Sequence, residues 1–173
     1  MSLNTTIIAE TFNRAKTENG GPTALGMRFY ARLFEKYPGV KPLFHTPPEE
    51  QHKKLIASLA AIVASVTNTE KLIPYLHAMA VRHLKYGTEN GHYDAVAENL
   101  IAVLGEHLSA EGEWTDDMKT AWQEALNVVN SVMIEAASNP EKFKDEIVAA
   151  GYQPDGFRTG DNQPWVMSEK VAS

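Results

Sequence analysis

Apolar residues recur every three or four positions along almost the whole chain, and this helical period constrains the fold more than any other feature. No segment of useful length alternates apolar and polar residues, as a half-buried strand would. The period is clear in the segment before Gly87, where four residues share one helical face: Leu72, Leu76, Met79 and Ala80. The sequence therefore predicts an all-α fold.

Glycine and proline residues divide this pattern into separate helices. The predicted helices span about residues 3–17, 22–36, 48–66, 71–86, 93–108 and 116–137, with a single turn over 40–44. Pro22 and Pro74 fall in predicted first turns, where a missing N–H costs little, and Thr115 is a predicted N-cap.

The pattern changes after Ser138. Asn139-Pro140 predicts the start of a short helix over about 141–150, and residues 151–173 have no clear period, which predicts a loop or tail. Three aromatic residues in this tail indicate that parts of it pack onto the domain, with disorder beyond about Phe157 as the alternative: Tyr152, Phe157 and Trp165. We therefore expect one domain over 1–137 and a C-terminal extension over 138–173.

Composition excludes several kinds of site. The chain has no cysteine, which removes thiol catalysis, disulfides and thiolate-bound metals. The net charge is -6 and basic residues do not cluster, so neither nucleic acid nor an anionic membrane is an expected partner. The chain has neither an apolar run of the ~18 residues that a membrane span needs nor a recognisable signal peptide, and we expect a cytoplasmic protein.

A histidine lies on the predicted apolar face. His83 follows Met79 by four residues, so its imidazole should point into the interior. From the residues alone, two interpretations are open: a core histidine with one hydrogen bond, or a ligand. His77 lies six residues earlier, about 240° around the helix, and is predicted to face the surface.

Two segments carry a family resemblance: FYARLFEKYPGVKPLF at 29–44 and RHLKYGTENGHYDAV at 82–96. They resemble the globin domain of bacterial flavohaemoglobins and single-domain bacterial haemoglobins over about residues 3–137. The resemblance implies a globin fold, a three-over-three helical sandwich around haem b, with His83 as the proximal iron ligand through Nε2. It also implies these haem contacts: Phe44, Leu55, Met79, Tyr93, Val96 and Leu100.

The resemblance places Tyr30 and Gln51 on the distal side, where a phenol and an amide would both donate hydrogen bonds to bound dioxygen. The alternatives are that Tyr30 is an ordinary core residue and that Gln51 is exposed at a helix start. If the alignment with the family is shifted by one residue, His52 instead of Gln51 would lie over the iron and give a six-coordinate resting state. We expect instead that His52 is exposed beside Lys53 and Lys54.

The proximal side departs from the family pattern. In flavohaemoglobins a tyrosine, matched here by Tyr93, and a glutamate of the last helix support the proximal histidine. Ala137 stands at the expected glutamate position, and Glu135, two residues earlier, should point about 200° away. This lack of a carboxylate favours oxygen binding or nitric oxide dioxygenation over peroxidase-like O–O cleavage.

The resemblance also bears on electron supply. Flavohaemoglobins continue into flavin- and nicotinamide-binding domains, whereas about 36 residues follow Ala137 here, so turnover would need a reductase in trans. The expected function is reversible binding of O2, with NO and CO as further ligands, and nitric oxide dioxygenation as a reaction. The alternatives are a haem-based gas sensor that signals through the extension and an all-α structural domain without haem.

Overall fold

The structure, a computed structural model, describes residues 3–44, 48–109 and 114–157, and every regular element in these ranges is a helix. The α-helices are α1 (Thr5–Thr17), α2 (Gly21–Lys36), α3 (Pro48–Ser65), α4 (Thr69–Leu84), α5 (Asn90–Ser109), α6 (Asp116–Ser138) and α7 (Lys144–Ala149). Two 3-10 turns, Pro38–Leu43 and Pro140–Phe143, precede α3 and α7. The predicted all-α class is therefore confirmed. None of these described helices is long and apolar enough to cross a membrane.

Side-chain caps explain where two helices begin. The hydroxyl of Thr115 accepts a hydrogen bond from the Met118 N–H at 3.2 Å, as the N-cap prediction requires. Asn68 caps α4 by accepting from the Lys71 N–H at 3.3 Å, so α4 begins two residues before the predicted start. The placement of Pro74 in the first turn was therefore wrong, because Pro74 is the sixth residue of α4 and removes a hydrogen bond inside the helix.

Two of the three apolar clusters among the described residues form most of the core. The larger one joins α1, α2, α5 and the start of α6, and its buried members include Phe12, Phe29, Leu104 and Trp122. The smaller one joins α4 to α6, and its buried members include Leu76, Met79, Met133 and Ala136. Each large side chain in these clusters contributes about 1.5–3 kcal/mol to folding through its burial.

Polar contacts between α2 and α5 hold α2 in place. The Glu98 carboxylate accepts hydrogen bonds from Arg32 at 2.9 Å, Lys36 at 2.7 Å and the Tyr37 hydroxyl at 3.1 Å. These donors, Arg32 first, lower the pKa of Glu98 to about 2. The buried Asn99 amide adds a hydrogen bond to the Phe29 carbonyl at 2.9 Å. Because Phe29 precedes Tyr30, this network also fixes the backbone at Tyr30.

The residues after α6 pack onto α4. The helix predicted over 141–150 is present as the 3-10 turn followed by α7, and Ile147 of α7 is fully buried against Ala78 and Val81. Phe157, at the end of the described residues, is also fully buried. Trp165 lies outside the described residues.

Candidate functional site

A cavity of about 380 Å³ opens between α2, α3, α4, α5 and α6. Protein cores are close-packed and rarely contain voids much larger than a water molecule, so a cavity of this size is a candidate binding site. All nine predicted site residues border it: Tyr30, Phe44, Gln51, Leu55, Met79, His83, Tyr93, Val96 and Leu100. The structure therefore brings together residues that lie up to 70 positions apart in the sequence.

His83 borders the cavity from α4, and its ring is oriented by its own helix. Nδ1 of His83 lies 2.6 Å from the Met79 carbonyl oxygen. A carbonyl oxygen can only accept, so Nδ1 carries the proton and Nε2 carries the lone pair. Burial, together with the positive charge of Arg82, lowers the pKa of His83 to about 4. At neutral pH the imidazole is therefore uncharged, which is the form that binds a metal.

Tyr30 of α2 and Gln51 of α3 border the same cavity and contact each other. The Gln51 amide donates to the Tyr30 hydroxyl oxygen at 3.1 Å. Tyr30 is only 7% exposed, and its burial raises the pKa of the hydroxyl to about 12, so the phenol keeps its proton. The Phe44 ring stands edge-on to the Tyr30 ring, with the ring centroids 5.5 Å apart, which limits rotation of the phenol.

His52 differs from the prediction. Gln51 borders the cavity, whereas His52 is not among the described residues that do. The expectation that His52 is exposed was wrong, because His52 is half-buried and stacks on the Tyr30 ring with the centroids 5.3 Å apart. The cause is the close approach of α3 to α2 at Gly26, where a Cβ atom would lie 2.9 Å from the Cβ of His52.

Tyr93 borders the cavity from α5, and no carboxylate of α6 is among the described residues that border it. Burial raises the pKa of Tyr93 to about 12. Glu135 is exposed and pairs with Lys142 at 3.4 Å, so it points away from the cavity as predicted. The inner face of α6 instead presents Met133 and Asn130, and the Asn130 amide donates to the Tyr93 carbonyl at 3.1 Å.

Sequence reasoning missed several residues that border the cavity. Among them are Asn130 and Met133 of α6 and three side chains that can carry positive charge, Lys54, Arg82 and His92. The 3.6-residue period gave a usable signal for Met133, which shares a face with Val129. No comparable signal exists for the cations, because charged residues at a cavity border and on a solvated helix face look alike in sequence.

The prediction for His77 was wrong. His77 is 6% exposed, its Nδ1 lies 2.7 Å from Glu146 Oε2, and its ring lies 4.1 Å from that of Phe143. The predicted angle between His77 and His83 around the helix was right, because His77 faces away from the cavity. The extension covers that side of α4, however, and turns a surface position into a buried one.

Comparisons with known proteins identify the family to which the chain is similar. The family described as Globin matches residues 27–133, more than half of the chain. A flavohemoprotein of Chromobacterium violaceum is 30% identical over 157 residues, which cover 87% of this chain and 37% of that protein. A flavohemoprotein of Halalkalibacterium halodurans is 28% identical over 138 residues, or 78% of this chain and 32% of that protein. The chain thus spans about a third of the length of these two relatives.

A shorter relative is similar over most of its own length. An uncharacterized globin-like protein of Aquifex aeolicus is 32% identical over 112 residues, which cover 65% of this chain and 78% of that protein. The matched residues of the Globin family include α3, α4 and α5 in full. The all-α arrangement and the matched region together agree with the globin fold that the resemblance implied.

The cavity fits the cofactor of this family. Haem is a largely apolar macrocycle with two carboxylates and an iron atom. The cavity offers apolar walls, the neutral imidazole of His83 and the cationic side chains of Lys54 and Arg82. These features favour haem over the alternative of a structural domain without a cofactor. The chain therefore belongs to the globin family, and its cofactor is haem with its iron.

Proposed function

We propose that this globin binds O2 reversibly and that its reaction is the dioxygenation of nitric oxide to nitrate. One observation carries the proposal: a single cavity is bordered by His83 on one element and by the hydrogen-bonded pair Tyr30 and Gln51 on two others. Haem, when bound, would supply the iron that binds diatomic ligands and the redox chemistry that the reaction needs. Every other role below belongs to side chains of the chain.

We assign His83 as the proximal ligand. Its Nδ1–H donates to the Met79 carbonyl, a neutral acceptor, so Nε2 is free to bind iron without releasing a proton. A neutral partner leaves the imidazole less anionic than a carboxylate partner would. This difference supports oxygen binding over peroxidase-like O–O cleavage, as does the outward orientation of Glu135.

We assign Tyr30 as the distal donor and Gln51 as its support. Because the Tyr30 oxygen accepts from Gln51, the phenol proton is left to donate to a ligand in the cavity. A phenol that is already accepting a hydrogen bond is also a stronger donor, since linked hydrogen bonds polarise one another. Leu55, one turn after Gln51 on α3, adds an apolar side chain to the same border of the cavity.

The proposed reaction requires an electron. The overall conversion, NO + O2 + e⁻ → NO3⁻, consumes one electron in each turnover. We propose that a separate reductase supplies this electron.

Two further predictions remain. We expect CO to bind as a further diatomic ligand, and the cytoplasmic location of the protein also stays a prediction.

Optical spectra of the ferric, ferrous and CO forms test the assignment of the site, and the Tyr30→Phe variant tests the distal donor. The loss of one charge-assisted hydrogen bond should raise the O2 dissociation rate about 10- to 100-fold. Tyr75→Phe is the matched control, because Tyr75 lies on α4 and is not among the described residues that border the cavity. Equal O2 release from the wild type and Tyr30→Phe would contradict the distal assignment. NO-driven oxidation of the oxy protein that does not yield nitrate would contradict the proposed reaction.

A second function, gas sensing through the extension, is favoured by one observation. The extension packs on α4, the helix that carries His83. Gas sensing predicts that ligand binding changes hydrogen-exchange protection in residues 144–157. Identical exchange in the ligand-free ferrous and CO forms would argue against it.

A further inference from the structure

Residues 153–157 form a closed loop that lies directly on α4. The Gln153 N–H donates to the Phe157 carbonyl at 2.7 Å, and the Phe157 N–H donates to the Asp155 carboxylate at 3.2 Å. Gly156 has a positive φ of 87°, and a Cβ atom there would overlap the Ala78 carbonyl oxygen. Only glycine allows the loop backbone to approach α4 this closely.

Polar contacts attach this loop to the last turns of α4. Lys85 Nζ pairs with Asp155 at 3.1 Å, and Arg82 donates to the Gly156 carbonyl at 3.5 Å. Both cations also lie over the Phe157 ring, with Lys85 Nζ 5.7 Å and the Arg82 guanidinium carbon 5.9 Å from its centroid. Phe157 is therefore fully buried between the loop and α4, and its position is determined by several contacts.

The Phe157 ring connects this loop to His83 through one intermediate ring. Phe157 stands edge-on to Tyr86, with centroids 6.2 Å apart, and Tyr86 stands edge-on to His83, with centroids 4.9 Å apart. Tyr86 also borders the cavity. We call these three side chains in edge-on contact, Phe157, Tyr86 and His83, the aromatic relay.

We propose that the aromatic relay makes Phe157 a positioning residue for His83, so that the C-terminal extension sets the orientation of the proximal imidazole. This inference rests on the proposed role of His83 as the iron ligand. The Met79 carbonyl restrains the imidazole through one hydrogen bond at Nδ1, and the range of distance and angle of a single hydrogen bond still tolerates a limited swing of the ring about its Cβ–Cγ bond. The edge contact with Tyr86 limits this swing, and Phe157 keeps Tyr86 in place.

The relay would supply an orienting contact that α6 does not. Glu135 points to solvent, so no carboxylate of α6 orients His83 among the described residues near the cavity. The extension lies outside residues 27–133, the part matched by the globin family. The extension would then do what a second hydrogen-bonding partner does for many metal-bound histidines.

Phe157→Leu tests the relay, and Phe143→Leu is its matched control. Both residues are phenylalanines of the extension that contact α4, but Phe143 packs on His77, away from the relay. In the ferrous protein, Phe157→Leu should shift the iron–histidine stretching frequency measured by resonance Raman spectroscopy. It should also speed haem transfer to an acceptor apo-globin about two- to tenfold, the usual effect of losing one aromatic pair. Phe143→Leu should leave the frequency as in the wild type.

A double variant shows whether the effect passes through Tyr86. If the relay is correct, Phe157→Leu has no further effect on the frequency once Tyr86→Leu is present. Asp155→Ala loosens the loop without changing a ring, so it should shift the frequency in the same direction as Phe157→Leu but by less. It replaces Phe157→Leu as the test of the relay if Phe157→Leu does not fold. Equal shifts in Phe157→Leu and Phe143→Leu, or no shift in either, would overturn the proposal.

The assignment of His83 as the iron ligand can be refuted independently of the aromatic relay. If His83→Ala keeps the iron–histidine band of the wild type, the ligand assignment is wrong whatever Phe157 does. If His83→Ala loses this band and Phe157→Leu leaves it unchanged, the ligand assignment stands and the relay is wrong.

Discussion

Replacing Gly26 by alanine should separate α3 from α2 and weaken the distal hydrogen bond. The added Cβ atom would lie 2.9 Å from the Cβ of His52, whereas carbon atoms pack at about 3.5–4.0 Å. The contact atom is a Cβ, which moves only with its backbone, so α3 must retreat by about 0.6–1.1 Å. Gln51 would move with His52, and its 3.1 Å bond to Tyr30 would stretch beyond the range of a hydrogen bond.

Two opposing terms determine the stability of this variant. Overpacking a core contact costs about 1–3 kcal/mol, and alanine gains about 1 kcal/mol over glycine inside a helix. The net loss in the free energy of unfolding should therefore be about 0–2 kcal/mol. Loss of the Gln51–Tyr30 bond should raise the O2 dissociation rate about two- to tenfold, since a neutral hydrogen bond contributes about 0.5–1.5 kcal/mol.

Gly91→Ala is the matched control for this prediction. Gly91 also lies in a helix, and nothing lies within 4 Å of a Cβ atom added there. Urea denaturation and stopped-flow O2 release should be measured for both variants. The argument fails if Gly26→Ala is as stable as Gly91→Ala and releases O2 at the wild-type rate, because α3 would then not be held against α2 through His52.

Two further predictions concern charge and the proposed ligand. The pKa of Glu98 is about 2, below its value in the unfolded chain, so its stabilising contribution is present above about pH 4.5 and is lost as the pH falls toward 2. Because the side chain is 42% exposed, we expect ionised Glu98 to contribute only about 0.5–1 kcal/mol to the free energy of unfolding. The free energy of unfolding should therefore fall less between pH 6 and pH 3 for Glu98→Gln than for the wild type, and equal falls would contradict the prediction. His83→Ala should lose haem to an acceptor apo-globin much faster than the wild type, and added imidazole should slow this loss; unchanged retention would refute the ligand role.

The sequence by itself predicted the helices and most of the residues that are found to border one cavity. The apolar period of a helix predicts which of its faces is buried. Met79 and His83 lie on the predicted buried face of α4, and both border the cavity. Family resemblance supplied the distal residues, and the structure puts Gln51 rather than its neighbour His52 at the cavity. The outward direction of Glu135 also followed from helical geometry alone, since two residues turn a helix by about 200°.

Only the tertiary structure decided what covers each helix face. His77 was correctly placed on the side of α4 opposite the cavity, but burial there depends on α7 and Glu146, almost 70 residues later in the chain. His52 likewise lies beside two lysines in sequence, yet α3 approaches α2 so closely at Gly26 that its ring packs on Tyr30. Periodicity describes one helix at a time, whereas burial and the orientation of His83 depend on contacts between segments that are distant in the chain.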